Sequence, residues 1–98
     1  MSVINHEKVS EFFKALSHPT RIAMVEELLK NKKCVGDIKE FVKVRQPNIS
    51  QHLTVLKAGN IVDCVRDGKT RCYFLKNPKL MEKILNMLED MRAESCQE

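Results

Sequence analysis

Residues 46–59 read Gln46-Pro47-Asn48-Ile49-Ser50-Gln51-His52-Leu53-Thr54-Val55-Leu56-Lys57-Ala58-Gly59, and they predict a short helix. Pro47 suits a first turn, where its missing N–H has no helical partner to lose. Gly59 suits the position just past the end, where a left-handed backbone is needed. Ile49, Leu53 and Leu56 recur at i, i+4 and i+7 and form one narrow apolar stripe. At about 100° per residue, Gln51, Thr54 and Ala58 point away from that stripe, with Asn48, Ser50 and Lys57 on its flanks. A helix that needs only solubility usually carries Glu and Lys on its outer face. This one carries neutral groups that both donate and accept hydrogen bonds, with one cation. Asn, Ser, Gln and Thr in that setting can read base edges in a major groove. On these residues alone a plain solvated face stays open as the alternative.

The flanking sequence favours the first reading. Ninety-eight residues make one domain, 1–98. So short a chain buries a modest core, which makes a partner chain an expected source of stability. The formal net charge of +4 is unevenly spread. Residues 43–76 hold seven Lys or Arg against two Asp, a net of +5, whereas 79–98 hold three basic and five acidic residues, a net of −2. Basic excess on the stretch suspected of facing DNA is the footprint expected for phosphate contact. No apolar run approaches the roughly 18 residues of a membrane span, and no apolar core follows a basic start as in a signal peptide. The expected location is cytoplasmic, with Cys34, Cys64, Cys72 and Cys96 as reduced thiols in the main. There is no Gly-rich phosphate loop, no recognisable carboxylate pair and no Cys–His spacing tied to a cleft, so an enzyme is not expected.

Upstream, Val9, Phe12, Phe13 and Leu16 mark a first helix, over about residues 3–16. Ser17-His18-Pro19-Thr20 is a break and a helix start. Ile22, Val25, Leu28 and Leu29 carry a second helix to about Lys30, and Asn31-Lys32-Lys33 is a polar turn. Val35, Ile38, Phe41 and Val42 line a short third helix, with Asp37 in the first turn, where the dipole favours negative charge. Lys43-Val44-Arg45 then leads directly into the central helix. Two short helices joined by a tight turn, the second with a polar face, form a helix-turn-helix.

Downstream, residues 61–66 and 70–75 are rich in β-formers and flank Asp67-Gly68, a strong hairpin signal. Arg66, Lys69 and Arg71 cluster at its tip, as in a wing lying along a phosphate backbone or entering a minor groove. A two-residue Asp67-Gly68 loop would set Cys64 against Arg71, with Cys64 and Cys72 on opposite faces. A three-residue loop would set Cys64 against Cys72 and create a wing dithiol. Asn77-Pro78 opens a last helix over about 78–95, with Leu80, Ile84, Leu88 and Met91 along one side and Met81, Leu85 and Met87 broadening it. That surface is wide for a terminal helix on so small a body. It suggests a dimer interface shared with the N-terminal helix.

Four segments, in this order and spacing, resemble the ArsR/SmtB family of bacterial and archaeal repressors over nearly the whole chain. They are Lys14-Ala15-Leu16-Ser17-His18-Pro19-Thr20-Arg21-Ile22, Cys34-Val35-Gly36-Asp37-Ile38, residues 46–57, and Arg66-Asp67-Gly68-Lys69 with Tyr73-Phe74-Leu75. The resemblance implies a mainly α winged helix-turn-helix, ordered α-α-α-α-β-β-α. It also implies a homodimer on a palindromic duplex operator, released when an inducer reaches a sensor site, with half-sites about one helical turn apart. Carried onto this chain, the DNA-reading positions are Gln46, Asn48, Ser50, Gln51 and Thr54, with Lys57, Arg66, Lys69 and Arg71 on the backbone. His52, at the edge of the apolar stripe, and His18, beside Pro19, are read as positioning residues rather than ligands.

The sensor departs from the family's patterns. A zinc site built from Asp and His on the last helix is excluded because that helix has no His. The Cys-Val-Cys-Asp motif for arsenite or soft metals is here Cys34-Val35-Gly36-Asp37, lacking the second thiol that such ions favour. The dithiol switch between a second-helix Cys and a C-terminal Cys finds Cys96 but Glu26 in place of its partner. Cys34, expected at a helix N-terminus behind Lys32 and Lys33, is the strongest candidate for a reactive thiol, with Cys96 second. The implied inducers are therefore arsenite, a soft divalent metal ion on thiolates, or a thiol oxidant or reactive sulfur species. A winged helix serving protein–protein contact without a sensor is the competing class. Such a module would be expected to expose aromatic or apolar anchors instead of a polar helix face.

Overall fold

The computed structural model describes residues 4–30, 33–34 and 48–95. Its elements run α1 (His6–Leu16), α2 (Pro19–Lys30), β1 (Lys33–Cys34), α3 (Ile49–Ala58), β2 (Val62–Asp67), β3 (Thr70–Leu75) and α4 (Pro78–Ser95). The expected helix through Val35, Ile38, Phe41 and Val42 lies outside the described residues, as do Gln46, Pro47 and Cys96.

Local chemistry explains the helix ends. Asn5 caps α1, its side chain accepting from the Lys8 N–H at 3.0 Å. His18 does the same for α2: its Nδ1 accepts from the Thr20 N–H at 3.1 Å. Its carbonyl accepts the first helical bond, from Ile22, at 3.0 Å. At the end of α3 the Ile61 N–H reaches back to the Leu56 carbonyl and the Asn60 N–H to the Lys57 carbonyl, both at 3.0 Å. This 6→1 and 5→2 pair is a Schellman motif. Its left-handed residue is Asn60, at φ 64. Gly59, expected in that role, is at φ −84, which any residue adopts. The glycine is needed for proximity: a Cβ there would lie 2.7 Å from the Ala15 Cβ and 3.2 Å from the Glu11 carbonyl.

The core joins Leu16 of α1, Met24, Val25 and Leu28 of α2, and Ile49, Leu53 and Leu56 of α3. Ile61, Val62, Tyr73 and Leu75 add the hairpin side, and Met81 adds α4. The α3 stripe is the expected one. The outer helices divide their apolar residues between core and surface. On α1 the core is met by Ala15 and Leu16, with Phe12 against it, while Val9 and Phe13 are exposed, Phe13 by 56%. On α4 the inward residues are Met81 and Leu85, whereas Leu80, Leu88 and Met87 are exposed. Val9, Phe12, Phe13, Leu80 and Ile84 together line one apolar groove between α1 and α4.

The hairpin turns one residue later than the Asp67-Gly68 reading. Asp67 is still paired, with Thr70, so the loop is Gly68-Lys69. Gly68 is at φ 67 and Lys69 has no positive φ, the pattern of a type II′ turn. The Thr70 hydroxyl donates to the Asp67 carbonyl at 3.0 Å and closes the last pair. Cys64 therefore opposes Tyr73, and Cys72 opposes Val65. Neither anticipated pairing holds, although Cys64 and Cys72 do fall on opposite faces. A third strand, β1, pairs with the other edge of β3, giving the order β1-β3-β2. Cys34 thus stands at the end of a strand, and the helix expected to begin beside it lies outside the described residues. Two residues carry no periodicity, so nothing local marks β1.

Candidate nucleic-acid interface

The helix α3 is held by its inner face and open on its outer one. Ile49, His52, Leu53 and Leu56 are buried, whereas Asn48, Ser50, Gln51, Thr54, Val55, Lys57 and Ala58 are exposed. Asn48 stands exposed at the N-cap position, and its side chain makes no capping bond. The Thr54 hydroxyl donates to the Ser50 carbonyl at 3.0 Å. It keeps its acceptor lone pairs and presents its methyl. Val55 is an outward apolar residue that the sequence reading did not single out; such a group can meet a thymine methyl. Lys57 leans toward the hairpin, its Nζ 3.8 Å from the Cys64 Sγ, which sets a cation between the helix and the wing.

On the wing, Arg66 and Arg71 are directly opposed and both exposed, with Lys69 in the loop between them. Like charges facing each other across a strand pair destabilise a sheet in isolation. An anion lying over the pair relieves that repulsion, so the arrangement suits a polyanion.

A buried polar joint aims α3. His52 is 8% exposed, and Arg21 Nη1 donates to its Nδ1 at 3.1 Å. Arg21 also donates from Nε to the Ala15 carbonyl at 2.6 Å, satisfying an orphan acceptor at the end of α1. The His18 ring lies beside His52, with centroids 4.5 Å apart and planes tilted by 47°. Because a guanidinium only donates, His52 Nδ1 accepts and the ring proton sits on Nε2. Burial first, then the His18 and Arg21 charges, hold His52 below its ordinary pKa of 6.5. One arginine thus ties together the end of α1, α2 and α3. The reading of both histidines as positioning residues fits this geometry; Arg21 itself carried no signal beyond its place in the motif.

Among the described residues no group of three or more His, Cys, Asp or Glu could hold a metal ion, and no helix is long and apolar enough to cross a membrane. Residue 26, where a dithiol switch would need a thiol, is an exposed Glu lining a groove between α2 and α4 together with Glu27, Glu82 and Glu89.

The sequence pattern described as "Bacterial regulatory protein, arsR family" matches residues 18–63. The "HTH-type transcriptional repressor SmtB" of Mycobacterium tuberculosis is 35% identical over 80 residues, 82% of this chain. The chain spans only 59% of that protein's length. The "Cadmium resistance transcriptional regulatory protein CadC" of Listeria innocua is 39% identical over 89 residues, 87% of this chain and 75% of that protein. The solution structure of the homodimeric winged helix-turn-helix DNA-binding domain Mb0332 of Mycobacterium bovis has a TM-score of 0.79 at 22% identity, covering 92% of this chain and 85% of that one. The fold is therefore a winged helix-turn-helix, and the chain belongs to the arsR family of bacterial regulatory proteins.

Proposed function

We propose that this chain is a DNA-binding transcription regulator, a homodimeric repressor that occupies a palindromic operator and leaves it when an inducer acts on its thiols. The observation that carries the reading is the exposed row of Asn48, Ser50, Gln51 and Thr54 on a helix whose opposite face is locked into the core. These side chains read base edges. Gln46 extends the row, and Lys57, Arg66, Lys69 and Arg71 contact phosphates and supply the salt-dependent part of affinity. The whole of 1–98 acts as one winged domain, and the terminal helices, about 3–16 and 78–95, form the dimer. The exposed apolar groove between α1 and α4 supports that assignment. The inducer is a thiol-reactive species or a soft metal or metalloid, such as arsenite or cadmium, acting at Cys34 and Cys96. The cadmium-resistance regulator among the relatives favours the soft-ion form.

The test is fluorescence anisotropy on the protein's own upstream duplex and on random duplex, for wild type and Gln51→Ala. Loss of a bidentate base contact is worth about 1–3 kcal/mol, so operator affinity should fall about tenfold while random-duplex affinity holds. Equal losses on both would overturn base reading by Gln51. Wild type that fails to prefer its operator at physiological salt would overturn the regulator reading. Arsenite, cadmium, zinc and a mild oxidant, each added to wild type and Cys34→Ser, then sort the inducers.

A further inference from the structure

The sheet register brings two cysteines together that lie 38 positions apart. In the antiparallel β1–β3 ladder Cys34 is the Cα partner of Cys72, one step from the Lys33–Tyr73 pair. Residues directly opposed in such a ladder share a face, with Cα atoms about 4.5 or 5.5 Å apart depending on the hydrogen-bonding site. Both values lie inside the roughly 4.4–6.8 Å that a disulfide spans. The third described cysteine is excluded by the same register. Cys64 opposes Tyr73, the neighbour of Cys72 on β3, and so occupies the other face. From β1 it is two strand spacings away, about 9–10 Å. Among the described residues, then, Cys72 is the one cysteine at the register position opposite Cys34.

We propose that Cys34 and Cys72 form a cross-strand dithiol that hydrogen peroxide converts to a disulfide. One thiolate attacks the peroxide oxygen, the O–O bond breaks, and water leaves with a sulfenic acid on that cysteine. The second thiol then displaces hydroxide from the sulfenic sulfur, releasing a second water and closing the S–S bond. The two thiols lose two hydrogens and two electrons, and the peroxide is reduced to two waters. Closure ties the wing strand β3 covalently to β1. This deepens the reading of Cys34 as the sensor by naming its partner. It rests on that reading only for its effect on DNA, since the bond itself needs none.

Trypsin separates all four cysteines, into peptides 34–39, 58–66, 72–76 and 93–98, so the linkage is read without ambiguity. Reduced full-length protein is treated with stoichiometric hydrogen peroxide, remaining thiols are alkylated, and the digest is mapped by mass spectrometry. The expected product is 34–39 linked to 72–76 within one protomer, retained in Cys64→Ser and Cys96→Ser and lost in Cys72→Ser. Linkage of Cys34 to Cys96, linkage only between protomers, or separate over-oxidation of the two cysteines overturns the proposal. Duplex binding by the reduced protein, measured in parallel, tests the regulator reading on its own: its failure leaves the mapped bond standing, and a missing bond leaves the DNA result standing.

Discussion

Gly59→Ala probes the close approach where the end of α3 meets α1. The backbone at Gly59, φ −84, accepts alanine without strain, so the whole effect comes from space. The new methyl would stand 2.7 Å from the Ala15 Cβ, 3.2 Å from the Glu11 carbonyl and 3.6 Å from the Val55 carbonyl. Carbon atoms prefer about 3.5–4.0 Å, so the helices must separate by close to 1 Å. Ala15 has no rotamer to escape into, and it is 2% exposed in the core. Overpacking of this kind costs about 1–3 kcal/mol, while the stiffer unfolded chain returns about 0.4–1 kcal/mol. The net loss should be about 1–2 kcal/mol, which lowers the urea midpoint by about 0.5–1 M. Denaturation is followed by circular dichroism at one fixed protomer concentration, because the proposed dimerisation would make apparent stability concentration-dependent. The decisive comparison adds Ala15→Gly, which removes the colliding methyl. Alone it should cost about 1 kcal/mol through helix propensity. Combined with Gly59→Ala, it should cost less than the sum by about 1 kcal/mol. A neutral Gly59→Ala, or single effects that add within about 0.5 kcal/mol, would refute the close-approach account.

Other perturbations test separate parts of the structure. His52 has its folded pKa lowered below 6.5, so the unfolded chain takes up this proton first as the pH falls. The stability held by neutral His52 is complete above 6.5 and is lost as the pH drops through the lower folded value. His52→Gln should therefore be less destabilising at pH 5 than at pH 7.5, and an equal cost at both would contradict the linkage. Phe13→Glu places a charge in the exposed apolar groove; sedimentation should show a shift from dimer toward monomer with helical content retained, and an unchanged dimer would remove the α1–α4 face from the interface. Arg71→Gln relieves the Arg66–Arg71 repulsion. It should leave the free protein as stable or slightly more so while reducing the salt slope of duplex binding by about 1; an unchanged slope would mean that Arg71 meets no phosphate.

Much of the architecture is legible in local patterns. The i, i+4, i+7 stripe of Ile49, Leu53 and Leu56 places α3 and its polar face, because a helix with one buried stripe leaves its remaining positions to solvent or a partner. The β-rich runs around Gly68 place the hairpin, since few other residues adopt its positive φ. Asn77-Pro78 opens α4 at the expected residue. Where the sequence offers two equivalent choices, it is silent. Leu80, Ile84 and Leu88 form as good a stripe as Met81 and Leu85, and periodicity does not say which one meets the core. Gly59 and Asn60 are both capable of a left-handed turn. Only the Schellman bonds from Ile61 and Asn60, and the proximity of Ala15, separate their roles.

By itself, then, the sequence determined the helices it could be tested on, the hairpin and the family, because these depend on spacings of a few residues and on motifs read in order. The tertiary structure decided which α1 and α4 faces stay exposed, how Arg21 joins the end of α1 to His52, and that Cys34 sits opposite Cys72. Each of these is a contact between residues far apart in the chain. Such contacts arise when separate elements compete for one small core, and that competition leaves no local mark in the sequence.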